Sequence, residues 1–115
     1  MVANTNPGIY SRDEETIIAQ CTPQGSGAIA LLRACGTNAL SIISSISKLG
    51  SGKTIENVPT HTIHYGHVVN EQGSTIDHVM FMVMHGPKTF TGQHTVEITC
   101  HNNPFIVAQI IDRAI

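Results

Sequence analysis

The sequence predicts a single small α+β domain in the order β-β-α-β-β-β-α. Three observations carry that expectation. Five short segments (TIIAQC, AIALLRA, HTIHYGHVV, STIDHVMFMVMH and TVEITCH) are apolar at alternate positions or on both faces, as strands are. Residues 39–49 and 104–115 instead repeat apolar side chains at helical spacing. Strands and helices do not alternate regularly, and 115 residues suffice for one core.

Residues 1–15 are polar around Pro7 and Gly8 and are expected to form a flexible N-terminal arm, leaving the folded domain to 16–115. Thr16–Cys21 reads as a short strand, and Thr22–Gly27, with two Gly and a Pro, as a turn. Ala28–Ala34 is apolar on both faces, which predicts a central strand. Gly36-Thr37-Asn38 offers a helix start capped by Thr37 or Asn38. Ala39, Ile42, Ile43, Ile46 and Leu49 line that helix, and Gly50 can close it.

After a loop to about Thr60, two strands flanking NEQG predict a hairpin. Met80, Met82 and Met84 alternate along its second strand and are expected in the core. His85–His94 reads as a loop and Thr95–His101 as a strand. Asn103 caps the last helix with Pro104 at its first position, and Ile106, Val107, Ile110, Ile111 and Ala114 form its apolar side. The pattern is still helical at Ile115, so the chain is expected to be cut from something longer.

Composition narrows the function classes. Charged residues make up only 12%, against roughly a quarter in ordinary domains. Part of the surface is therefore expected to be covered by another chain or by missing parts of the same one. Net charge is −2, and the six Lys and Arg form no basic run, so the chain has no footprint for holding RNA through its phosphates. Three dispersed Cys argue against a disulfide framework and for a reducing, cytoplasmic setting. No apolar stretch reads as a signal peptide or a membrane span.

Two apparent motifs dissolve on inspection. Gly50-Ser51-Gly52-Lys53-Thr54 resembles a phosphate loop, but the required first Gly is Ser47. It also follows a helix in this reading, whereas a phosphate loop opens one. Seven His invite a metal site. On a strand, however, His61 and His67 point one way and His64 the other, and no Cys/His spacing suits zinc. Cys35 and Cys100 fall at apolar strand positions and are expected to pack as small hydrophobes.

Two charges interrupt strands. Arg33 shares a face with Ile29 and Leu31, while Glu97 lies opposite Val96, Ile98 and Cys100 with Thr95 and Thr99. They could pair with each other, or Glu97 could simply be solvated. They could also line a ligand pocket flanked by the two Gly-bearing turns. A carboxylate accepts two hydrogen bonds from an amino-heterocycle edge, and a guanidinium grips a carboxylate.

TIIAQCTPQGSGAIALLRACG, HGPKTFTGQHTVEITCH and the Asn103-Pro104 helix together resemble the N-terminal domain of the tRNA-modification GTPase family MnmE (TrmE). The likeness covers about residues 16–115. It implies a folate-binding, dimerising domain related to the folate-binding part of aminomethyltransferases. On this resemblance Arg33 and Glu97 are the folate-contacting positions, and the ligand is a reduced folate such as 5-formyl- or 5,10-methylene-tetrahydrofolate. A further folate-contacting Lys would lie beyond Ile115.

The full-length family uses GTP, Mg2+ and K+ in a separate GTPase domain, together with an MnmG/GidA-like flavoprotein. It modifies the wobble uridine (U34) of tRNA and pairs as a homodimer away from membranes. No GTPase domain or Cys-bearing C-terminal tail is present in these 115 residues, so this chain is not expected to hydrolyse GTP alone. Gly92-Gln93-His94 replaces the family's G-E-D, and His101-Asn102-Asn103 its H-G-G. Two rival readings follow: a structural dimerisation module whose folate site has decayed, and a small nucleotide-binding enzyme using Lys53.

Overall fold

The computed structural model describes residues 2–3, 9–11, 16–22, 27–87, 89 and 92–115. Among these residues eight strands form one sheet: β1 (Val2–Ala3), β2 (Ile9–Ser11), β3 (Ile17–Gln20), β4 (Ile29–Cys35), β5 (Ser47–Leu49), β6 (Thr62–Val69), β7 (Thr75–Met84) and β8 (Thr95–His101). Their order across the sheet is β1-β2-β3-β4-β8-β7-β6-β5, with every neighbouring pair antiparallel. Two helices, α1 (Ala39–Ser45) and α2 (Pro104–Ala114), and one 3-10 turn (Ile55–Asn57) complete the fold.

Two short stretches of the expected arm are described as strands. Val2–Ala3 and Ile9–Ser11 extend the sheet beyond β3, with Val2–Ala3 at its edge. Edge pairing needs only backbone N–H and C=O groups, so a polar segment can do it without an apolar face. The other arm residues lie outside the described ones.

One face of the sheet carries the core. Ala30, Leu32, Ala34, Phe81, Val83, Val96 and Ile98 are buried there with Ile42, Ile43, Ile110 and Ile111 of the two helices. Each fully buried Val, Leu, Ile or Phe among them contributes roughly 1.5–3 kcal/mol. The methionine expectation fails here. Val79, Phe81 and Val83 point into the core, while Met80, Met82 and Met84 lie on the opposite, open face. Strand β7 is apolar on both sides, and only the position of the helices decides which side is buried.

Helix α1 is shorter than its apolar spacing suggests. Ser45 and Ser47 donate their hydroxyls back to the carbonyls of Ile42 (2.7 Å) and Ile43 (2.6 Å). Such bonds compete with the helical ladder. The chain turns at Ile46 and pairs as β5 with β6, and Leu49 is buried from a strand. Gly50 therefore ends no helix; its N–H donates to the Tyr65 carbonyl at 2.9 Å.

Other elements follow their local chemistry. In the β6–β7 turn, Asn70 Oδ1 accepts from the N–H groups of Gln72 (3.0 Å) and Ser74 (2.9 Å), and Gly73 takes the left-handed φ of 83°. Asn103 Oδ1 accepts from the N–H groups of Phe105 (2.8 Å) and Ile106 (3.3 Å), capping α2 with Pro104 in its first turn. Asn38 occupies the cap position of α1 without such a side-chain bond. Asn103→Ala should cost about 1 kcal/mol, read as a lowered urea midpoint with an unchanged slope.

Candidate functional site

Strand alternation places Ile29, Leu31, Arg33 and Cys35 of β4 on the open face, beside Thr95, Glu97 and Thr99 of β8. Arg33 and Glu97 are direct cross-strand partners. Arg33 Nε donates to Glu97 Oε2 at 3.0 Å, and Nη2 donates to the same oxygen at 2.6 Å. The structure therefore brings the two charges together as a pair. Side-chain exposure is 36% for Arg33 and 14% for Glu97, so the pair contributes on the order of 1 kcal/mol or less. These hydrogen bonds, opposed by partial burial, raise the guanidinium pKa above its ordinary value.

Both Arg33 donors converge on one oxygen, and no described residue donates to Glu97 Oε1. A carboxylate has about four lone-pair sites, so half its accepting capacity has no partner among the described residues. Around the pair the open face is apolar. Met82 is the next cross-strand neighbour of Glu97, and Ile63 the next of Met82. Two residues along, Leu31, Thr99, Met80 and Tyr65 form the following row. Ile63 and Tyr65 are each 58% exposed.

The two Gly-bearing turns do not flank the pair side by side. The first meets the far end of β8, where Asn102 N–H donates to the Ala28 carbonyl at 3.1 Å. The second lies at the other end, where Gly36 N–H donates to the His94 carbonyl at 3.0 Å. Arg33 and Glu97 sit midway between them. Residues 23–26, 88, 90 and 91 of these turns lie outside the described ones.

A second feature escaped the sequence reading. Asp77, buried at one end of β7, accepts from the backbone N–H of His101 at 2.9 Å and from its Nδ1 at 2.8 Å. An ionised carboxylate can only accept, which assigns the proton of this contact to Nδ1. An open cleft of about 240 Å³ lies beside it, lined by Ile29, Tyr65, His78, Met80, Thr99 and His101 among others. The available signal was a lone Asp at an inward position of the apolar strand STIDHVMFMVMH.

The remaining motifs take structural places. Gly50 to Lys53 form a turn after β5, not after a helix, with the N–H of Gly52 bound to the Leu49 carbonyl and that of Lys53 to Ser51 Oγ. Those N–H groups are committed locally and do not form a phosphate cradle. His64 Nε2 meets Thr62 Oγ1 (2.7 Å), and His94 Nδ1 accepts the Gly86 N–H (3.0 Å). Among the described residues no three His, Cys, Asp or Glu side chains converge as a metal site. Two departures from the family pattern also have structural uses: Asn102 Nδ2 donates to the Gly27 carbonyl, and Asn103 caps α2.

Cys100 packs in the core as expected, whereas Cys35 is half-buried on the open face and Cys21 is exposed. Burial first, then nearby Asp77, pushes the Cys100 thiol up to about 11; burial raises Cys35 as well. A thiol reagent at pH 8 should therefore label Cys21 first, Cys35 more slowly and Cys100 only after unfolding. The unfolded chain loses the Cys100 proton at its ordinary, lower pKa. Stability should thus fall as pH rises from about 9 to about 11, by on the order of 2 kcal/mol, and Cys100→Ala should remove that part of the loss.

An antiparallel sheet with helices on one face and an ion pair in an apolar setting on the other defines a one-sided α+β domain. Residues 16–115 match the family model described as GTP-binding protein TrmE N-terminus, and the chain belongs to that family. It is similar to the tRNA modification GTPase MnmE of Enterococcus faecalis, at 46% identity over 84% of this chain and 21% of that protein. The MnmE of Streptococcus mutans is 46% identical over 90% of the chain and 22% of its own length. That of Christiangramia forsetii is 44% identical over 84% and 20%. The chain thus spans about a fifth of the length of these relatives. Among the described residues no helix is long and apolar enough to cross a membrane.

Proposed function

We propose that this chain is the folate-binding and dimerising domain of a tRNA wobble-uridine (U34) modification GTPase, with Arg33 and Glu97 as its folate contacts. The observation that carries this reading is the pair itself, in which both Arg33 donors go to Glu97 Oε2 and no described residue donates to Oε1. That donor set fits a reduced folate in kind. Oε1 can accept from the N–H edge of the pterin, Met82 and Leu31 offer apolar contact to a flat ring, and Arg33 can turn toward a carbonyl or carboxylate. The folate, when bound, supplies a one-carbon unit.

Within a full-length protein, GTP, Mg2+ and K+ belong to a GTPase domain outside these 115 residues. The tRNA and an MnmG/GidA-like flavoprotein are the proposed partners there, in a cytoplasmic homodimer. Calorimetric titration with 5-formyltetrahydrofolate tests the folate role. On a chain extended past the Lys expected beyond Ile115, saturable heat that disappears in Glu97→Ala is the expected result, and a flat titration of that extended chain removes the role.

One observation favours a second reading, a structural dimerisation module with a decayed site. Arg33 and Glu97 already satisfy each other in part, so the pair does not require a ligand. On that reading Glu97→Ala remains as dimeric and as stable as the parent, and folate gives no gain in Tm.

A further inference from the structure

We propose that the imidazole of His94 is a pH-sensitive latch: neutral, it joins the ends of β7 and β8, and protonated, it releases them. The latch is a single bond. Gly86, two residues past β7, donates its N–H to His94 Nδ1 at 3.0 Å, and His94 stands directly before β8. A ring nitrogen accepts only when it carries no proton, so this contact assigns the proton of the neutral ring to Nε2. Protonation puts an N–H on Nδ1 as well, facing that of Gly86, and the bond is lost. The tie is therefore present at high pH and lost as pH falls through the titration of the ring. Histidine side chains in general change charge between about pH 5 and 8. The family pattern has Asp at this position, a side chain that stays an acceptor throughout that range.

The packing leaves the two donors little room to avoid each other. A Cβ on Gly86 would stand 2.9 Å from the Gln93 carbonyl carbon and 3.1 Å from the Gly92 carbonyl oxygen. Either the charged ring swings out or the strand ends part, and each breaks the tie. The His94 carbonyl also accepts the Gly36 N–H at 3.0 Å, so the same residue fastens the end of β4. From the end of β7 the ring meets His85, edge to face, with ring centres 5.9 Å apart. The segment after β4 contributes Thr37 and the turn contributes Gly92 and Gln93, none of which brings a counter-charge. His85 Nε2 donates to the Val58 carbonyl at 3.1 Å, a bond that protonation leaves intact because a carbonyl only accepts. Two charged rings at that spacing repel, which adds to the release of His94. An open cleft of about 240 Å³, lined by His94 among others, gives water access to this corner of the fold.

Amide hydrogen exchange followed by NMR, corrected at each pH for the intrinsic exchange rate, tests the latch. Protection of the Gly86 N–H should fall about tenfold between about pH 7.5 and about pH 5.5, while amides in the middle of β8 keep theirs. His94→Asn puts an amide oxygen where Nδ1 sits and accepts at every pH, so its Gly86 N–H should stay protected with a flat profile. His94→Phe removes the acceptor and should show the low protection at both ends of the range. A flat profile in the parent chain, or a pH dependence that persists in His94→Asn, overturns the latch. Protection retained in His94→Phe overturns it too. So does an equal loss at the mid-β8 amides, which reports unfolding of the whole domain.

Discussion

Phe81→Ala is expected to cost about 3–5 kcal/mol, the largest loss from any single truncation on β7. The ring has no exposed surface and packs in the cluster that joins both helices to the sheet. Removing it deletes transfer energy and leaves a cavity that the neighbouring strands, fixed by their hydrogen bonds, cannot close. Met82→Ala, one residue along, should cost about 1 kcal/mol or less, because Met82 is half-buried on the open face. The contrast in urea midpoints reports which face of β7 is inside. Equal losses would mean that the open face is covered.

Gly66→Ala is the second large effect, expected at about 3 kcal/mol. Gly66 sits in β6 opposite Leu49 of β5. A Cβ there would overlap the Lys48 carbonyl oxygen and stand 3.0 Å from the Leu49 Cα. Both are backbone, so no side-chain rotation relieves the contact, and ordinary overpacking already costs about 1–3 kcal/mol. The chain can respond by releasing β5, which uncovers Leu49. Hydrogen exchange at Gly50 N–H and Val69 N–H, bonded to the Tyr65 and Ile46 carbonyls, should then rise together. An unchanged exchange pattern with unchanged stability would contradict the close approach.

Strand and helix identities were legible wherever local pattern decides them. The β6–β7 hairpin followed from NEQG, and α2 from Asn103-Pro104 and its apolar spacing. Face assignment was legible for β8, where Glu97 and two Thr mark one side as polar. It was not legible for β7, whose two sides are equally apolar; the helices that choose between them lie far away in sequence. The end of α1 turned on serine back-bonds and on pairing with β6, neither of which hydrophobic periodicity registers.

At the site, Arg33 and Glu97 stood out because each breaks the pattern of its own strand. Their direct opposition is a property of register between β4 and β8, which are 64 positions apart at that pair, and needed the fold to appear. The Asp77–His101 contact depends on the β7–β8 pairing in the same way.

Methionine-methyl NMR puts the central claim to its most direct test. Met80, Met82 and Met84 all lie on the open face, distributed along the row that runs past Glu97 toward the cleft. Addition of 5-formyltetrahydrofolate should shift the Met82 and Met80 methyl signals in the parent and leave them unmoved in Glu97→Ala. Methyl signals that stay fixed while the ligand demonstrably binds would place the site elsewhere on the molecule and contradict the account.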